Sequence, residues 1–203
     1  MKKLTLLTLF FCASFVGPAI ASETLKIVVL GDSLTEGYGL NKEQAFPFLV
    51  EKKFREAGKN IEIINAGVSG STSAGGLSRV AWSLKSKPQY VLIALGANDG
   101  LRGLGVTAMK KNLVEIIQKV KAGGAKPLLI GMKMPPNYGV QYTKEFEGAF
   151  QKVADEQKVP LLPFLLDRVA TNSKLNLPDG IHPNQEGHKT IAETVFKFLE
   201  KNI

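Results

Sequence analysis

The chain has 203 residues, 44% of them hydrophobic, and a net charge of +8 from 26 basic and 18 acidic side chains. That apolar share supports a packed core and excludes a chain kept unfolded by its charge. The lysines are spread along the sequence rather than clustered, which fits a solvated basic surface and not a nucleic-acid face.

Residues 1–21 read as a secretory signal. Lys2 and Lys3 precede the apolar run Leu4–Val16, and Ala19-Ile20-Ala21 puts small residues where a signal peptidase reads. The run is shorter than the ~20 residues a membrane span needs. Cys12 would suit a lipid anchor, but Phe11 fills the preceding position, where lipoprotein processing wants a small residue. Cleavage after Ala21 removes Cys12 and two lysines, leaving residues 22–203 as one thiol-free domain in the periplasm or outside the cell. A domain of that size buries roughly 70% of its unfolded surface, so its core can hold it without a cross-link.

Beyond that segment, apolar β-branched-rich runs recur at Lys26–Leu30, Ile61–Asn65, Tyr90–Leu95, Pro127–Met132 and Val159–Phe164. Between them lie segments with helical spacing, such as Leu113, Ile116, Ile117 and Val120, and Gly58, Gly123 and Gly124 stand where helices stop. Trp82 reads as a core or helix-packing residue. The last helix is expected over Gln185–Asn202, with Ile191, Val195, Phe198 and Leu199 on one face. Alternating strands and helices imply a parallel sheet covered on both sides by right-handed crossovers. The fold expected is a three-layer α/β/α sandwich with a flavodoxin-like five-stranded parallel sheet, order 2-1-3-4-5.

In such a sheet, ligands sit beyond the carboxyl ends of the strands, near the point where the winding reverses. Three loops meet there: "GDSLTEGYG" (31 to 39), "NAGVSGSTSAGG" (65 to 76) and "LGANDGLRG" (95 to 103). Ser33 in the first could be a helix cap, a phosphate contact or a nucleophile. No G-x-x-x-x-G-K-[ST] and no G-x-G-x-x-G follows the first strand, which argues against a nucleotide binder. A binding module would need no acid–base residue, whereas a serine nucleophile needs a base in reach.

Only His182 and His188 are available. His188 stands one helical turn before Ile191 and reads as a helix residue near the packing face. His182 lies in "LPDGIHPN" (177 to 184), with Asp179 three residues earlier, a spacing that lets the carboxylate hold the imidazole N–H. The same stretch also reads as an ordinary turn followed by an Asn184 helix cap. Thr35 replaces the second glycine of a G-x-S-x-G elbow, so this is not the usual α/β-hydrolase nucleophile. Two histidines and no mature cysteine leave no cluster at metal-ligand spacing, and neither metal nor cofactor is expected.

"GDSL" (31 to 34), the glycine loop after strand two, "GAND" (96 to 99) and "DGIHP" (179 to 183) resemble, in order, the four blocks of the SGNH (GDSL) hydrolase family. "GANDGLRG" and "PPNYGVQY" (135 to 142) resemble its bacterial multifunctional thioesterase I/arylesterase/lysophospholipase subgroup. The resemblance implies Ser33 as nucleophile, His182 as base and Asp179 as the residue orienting it. It implies an oxyanion hole made of the Ser33 N–H, the Gly70 N–H and the Asn98 side chain, with Gly67 as the alternative glycine. Asp32 is then structural, supporting the turn, and Asp99 belongs to an "NDG" turn. Ser71 and Ala97 depart from the subgroup, which often has aspartate and glycine there.

The residues of "GMKMPPNYG" (131 to 139) point to the substrate. Methionine adapts to apolar ligands and proline stiffens a loop, so Met134, Pro136 and Tyr138 are expected to line an acyl groove. Met132 or Met134 could instead be strand-four core. The expectation is an exported monomer hydrolysing small-molecule or lipid acyl esters and thioesters, with transient contact with membrane lipid. A carbohydrate acetylesterase of the same family, or a non-catalytic binding module, are the alternatives.

Overall fold

A computed structural model describes residues 24–203, and the expected signal segment lies outside the described residues. The strands are β1 (Leu25–Gly31), β2 (Ile61–Gly67), β3 (Tyr90–Ala94), β4 (Lys126–Ile130) and β5 (Leu161–Leu162). All pairs are parallel, as the alternation of elements implied, and the order is β2-β1-β3-β4-β5, the flavodoxin-like order expected. Ile27 to Leu30 of β1 and all of β3 are buried, because central strands of a parallel sheet are covered on both faces. β2, at one edge, leaves most of its residues partly open to solvent.

Among the described residues seven α-helices follow the strands: α1 (Ser33–Glu36), α2 (Phe46–Glu56), α3 (Ser73–Ser83), α4 (Ala97–Leu101), α5 (Val106–Ala122), α6 (Val140–Gln157) and α7 (Gln185–Asn202). The step from β1 to β2 runs opposite to the steps from β2 onward, so right-handed crossovers place α2 on one face and α3, α5 and α6 on the other. Accordingly α2 packs against α7, and α5 packs against both α3 and α6. The winding reverses at β1, and Gly31 is in register with Gly67 on one side and Ala94 on the other. Three strands thus end at one level, and the loops after them converge.

Three expectations are corrected. β5 spans two residues rather than Val159–Phe164, because Pro160 and Pro163 flank it and proline has no N–H to donate to a ladder. β4 ends at Ile130, so neither Met132 nor Met134 is strand core; both are buried beyond the strand end. Trp82 is 62% exposed rather than packed. The face of α3 toward the sheet is built from Gly76, Val80 and Ser83, and Trp82 lies about 200° around the helix from Val80.

Candidate active site

Ser33 is the first residue of α1, directly past the end of β1. The turn that holds it is tight. A Cβ on Gly31 would lie 1.9 Å from Thr35 Oγ1, and one on Gly67 would lie 2.2 Å from the Glu36 nitrogen, so α1 can seat on the strand ends only with glycine at both places. Asp32 caps the turn, its Oδ1 accepting the Leu34 N–H at 3.0 Å. Burial pushes the Asp32 carboxyl up to about 6, opposed by the Leu34 N–H, by the His182 charge and by Asn98. Asp32 is therefore a buried support of the turn. Arg79 of α3 adds a second tie, its guanidinium donating to the carbonyls of Ala66 (2.6 Å) and Gly31 (2.5 Å) at the ends of β2 and β1.

Across the cleft mouth, the loop before α7 delivers the base. His182 Nε2 lies 3.0 Å from Ser33 Oγ, although the two residues are 149 positions apart. His182 Nδ1 lies 2.7 Å from Asp179 Oδ2. An ionised carboxylate only accepts, so Nδ1 carries the hydrogen and Nε2 turns its lone pair to the serine hydroxyl. The other Asp179 oxygen accepts the backbone N–H groups of Ile181 and His182, both at 3.0 Å. Burial alone would raise the Asp179 carboxyl. The His182 backbone and ring N–H groups, then the Ile181 N–H and the His182 charge, outweigh it and hold Asp179 down at about 2. The ordinary-turn reading of this stretch also holds: Asn184 caps α7 by accepting the N–H groups of Glu186 and Gly187.

The remaining expected donors face the same point. Asn98 Nδ2 donates to the Ser71 carbonyl at 3.2 Å and reaches Asp32 Oδ2 only at 3.5 Å, so one amide hydrogen is weakly held. Gly70 has φ +75°, its carbonyl is bound by Arg102, and its N–H has no partner among the described residues. Gly67 donates its N–H to Asn65 Oδ1 at 2.9 Å, in addition to its packing against α1. Gly70, not Gly67, lines the cleft with Ser33, Asn98 and His182.

That cleft has a volume of about 570 Å³ and its walls are mainly apolar. Met132, Met134, Pro135 and Pro136 form one side, and Phe164, Leu166 and Ala170 come from the segment after β5. Tyr138 is absent from the lining, which corrects its expected place there. Its hydroxyl donates to the Leu101 carbonyl at 3.0 Å and its ring lies against Tyr142, so it ties the loop to α4. Tyr38 is the tyrosine at the site, its ring centroid 4.5 Å from the His182 imidazole. Its position five residues after Ser33 in the same turn was the available signal. The wall after β5 had none, because that segment carries no periodic pattern.

The other candidates have structural places. Asp99 is buried and accepts the Ser73 N–H (2.7 Å) and hydroxyl (2.6 Å), locking α4 to the start of α3. His188 is 1% exposed and its Nδ1 accepts the Phe46 N–H at 3.1 Å, which joins α7 to the start of α2. Burial, with a smaller contribution from the His182 charge, lowers His188 to about 4 and keeps it neutral. Among the described residues no group of three or more His, Cys, Asp or Glu is placed to hold a metal ion.

Residues 29–190 match the model of the GDSL-like lipase/acylhydrolase family. The whole chain aligns with the whole of an arylesterase from Vibrio mimicus at 39% identity. A thioesterase 1/protease 1/lysophospholipase L1 from Escherichia coli K12 is 40% identical over 90% of this chain and 86% of its own. Among solved structures, the psychrotrophic esterase EstA from Pseudoalteromonas sp., inhibited by monoethylphosphonate, superposes with a TM-score of 0.84 at 36% identity. The match covers 87% of this chain and 97% of that one.

Proposed function

The chain belongs to the GDSL-like lipase/acylhydrolase family, and from that premise we propose that it hydrolyses acyl esters and thioesters through an acyl-enzyme on Ser33. The observation that carries this reading is the continuous Ser33–His182–Asp179 hydrogen-bonded line opening onto a cleft with apolar walls. His182 takes the Ser33 proton as Oγ bonds to the substrate carbonyl carbon. The charge that develops on the carbonyl oxygen is met by the Ser33 N–H, the Gly70 N–H and the loosely held Asn98 amide hydrogen. Collapse of the tetrahedral intermediate breaks the bond to the leaving alcohol or thiol, which receives the proton from His182. Water, deprotonated by His182, then attacks the acyl carbon and releases the acid and Ser33. Asp179 keeps the proton on Nδ1 throughout.

Export is part of the proposal. It rests on Lys2 and Lys3, the apolar run after them and Ala19-Ile20-Ala21. Met134, Pro136 and the wall after β5 favour an acyl chain over a sugar, because they offer apolar contact and few hydrogen-bonding groups. The test combines an active-serine phosphonate with a series of p-nitrophenyl esters and acyl thioesters. Ser33 alone is labelled, and kcat/KM climbs from acetyl toward medium chains by up to ~0.8 kcal/mol per buried methylene. Undiminished activity in Ser33→Ala would refute the hydrolase mechanism. A preference for acetyl groups on sugars over every longer chain would favour the carbohydrate esterase.

A further inference from the structure

We propose that Glu36 and Arg102 are positioning residues that clamp the Gly70 peptide and so set the aim of its N–H; this rests on Gly70 serving as an oxyanion donor, as above. The loop Val68–Ser71 is otherwise lightly tied. Val68 N–H donates to the Gly31 carbonyl at 3.2 Å, Ser71 N–H to the Val68 carbonyl at 3.0 Å, and Asn98 Nδ2 to the Ser71 carbonyl at 3.2 Å. Gly70 sits at φ +75°, in a region where glycine has wide freedom, and none of these three bonds is made by the Ser69–Gly70 peptide, so they leave the Gly70 N–H room to swing.

Two charged side chains remove that freedom, one from each side. Glu36 Oε2 accepts the Ser69 N–H at 2.7 Å and also the Ser69 hydroxyl. Arg102 Nη2 donates to the Gly70 carbonyl at 2.9 Å. The peptide carrying the Gly70 N–H lies between the Ser69 nitrogen and the Gly70 carbonyl. Holding both neighbours narrows the range through which its plane can turn.

The origin of the two side chains gives the clamp its meaning. Glu36 closes α1, the helix that begins with Ser33. Arg102 closes α4, and its own N–H donates to the Asn98 carbonyl at 3.2 Å. Each grip therefore ties the Gly70 loop to an element carrying one of the other two donors, so the three are held in mutual register. Neither side chain forms an ion pair among the described residues, so surface pairing does not account for their placement. Both bonds join a charged group to backbone, the stronger kind of hydrogen bond.

The test is steady-state kinetics on a short p-nitrophenyl ester, with thermal unfolding and the rate of phosphonate labelling, for Glu36→Ala, Glu36→Gln, Arg102→Met and Arg102→Lys. Glu36→Ala and Arg102→Met should each lower kcat by roughly 10-fold or more, approaching the ~10²–10³ of deleting a donor outright. KM should stay within about 2-fold, and the labelling rate should fall in step with kcat, since the phosphonate also places an oxygen in the hole. The melting temperature should fall by a few degrees at most, since the bonds removed are exposed, and kcat is taken per folded enzyme. Glu36→Gln should recover most of the loss because its amide oxygen can accept both Ser69 hydrogens, and Arg102→Lys part of it because one donor remains. Unchanged kcat in both truncations overturns the proposal. So does a loss carried by KM, or one that vanishes when rates are normalised to folded enzyme. If Glu36→Ala does not fold, Arg102→Met decides by the same criteria. Retained activity in Ser33→Ala strikes the hydrolase reading itself, whereas an inert Ser33→Ala beside fully active clamp variants strikes only the clamp.

Discussion

Two buried titrating groups push the acid stability of this protein in opposite directions, and each can be unmasked by replacing the other. Unfolded His188 takes a proton below its ordinary 6.5, but the native residue, buried with Nδ1 accepting the Phe46 N–H, waits until about 4. Acidification through that window therefore favours the unfolded chain. At 1.36 kcal/mol per unit the full effect is about 3 kcal/mol, and it is complete once the pH reaches about 4. Asp32 has the reverse sign. Its native carboxyl takes a proton near 6 and the unfolded one only near 3.8, so acidification across that span favours the native state by about 3 kcal/mol. The two nearly cancel, and the wild-type stability curve should be flat between pH 6.5 and 4. His188→Asn preserves an acceptor for Phe46 and removes the titration, so this variant should gain about 3 kcal/mol on moving from pH 6.5 to 4. Asp32→Asn should lose about as much over the same range. Urea unfolding at half-unit pH steps measures each slope, and slopes are compared because either substitution also shifts the absolute stability. Parallel curves for wild type and His188→Asn would refute the assignment of a buried, neutral His188.

Further substitutions test the site and its walls. Asp179→Asn should lower kcat by up to ~10⁴ on p-nitrophenyl esters, since the amide no longer enforces the Nδ1–H form of His182. Because Asp179 is held near 2, the stability that its carboxylate contributes is present above about 3.8 and lost as pH falls toward 2; unfolding below pH 4 should be less steep in Asp179→Asn. Asn98→Ala should cost ~10²–10³ in kcat with little change in KM, whereas a merely structural Asn98 would lower the melting point and leave the folded fraction fully active. Met134→Ala should flatten the rise of kcat/KM with acyl length. Tyr138→Phe, which loses only the bond to the Leu101 carbonyl, should cost about 1 kcal/mol of stability and leave that rise intact.

Local patterns along the chain were sufficient for the parallel α/β class, the strand positions to within a few residues, and the spacing of Asp179 and His182. The reason is that strand period, turn chemistry and caps act over a handful of neighbours. Asp179 turning back onto the N–H groups of Ile181 and His182 is such a short-range event. Side-chain aim between elements is another matter, because it depends on how strands and helices seat against one another. Both Gly67 and Gly70 fit the resemblance, and only the seating of α1 on β2 shows that Gly67 has spent its N–H on Asn65. A tyrosine was expected at the site, yet Tyr138 turns to Leu101 while Tyr38 lies against His182. Trp82, a large apolar residue in an amphipathic helix, faces solvent because Gly76, Val80 and Ser83 occupy the side that meets the sheet. Glu36 carried no signal as a residue, and Arg102 stood in "GANDGLRG" with nothing to show what its side chain would hold. Their grip on Ser69 and Gly70 exists only because parallel strands ending at one level bring three loops, far apart in the chain, to a single point.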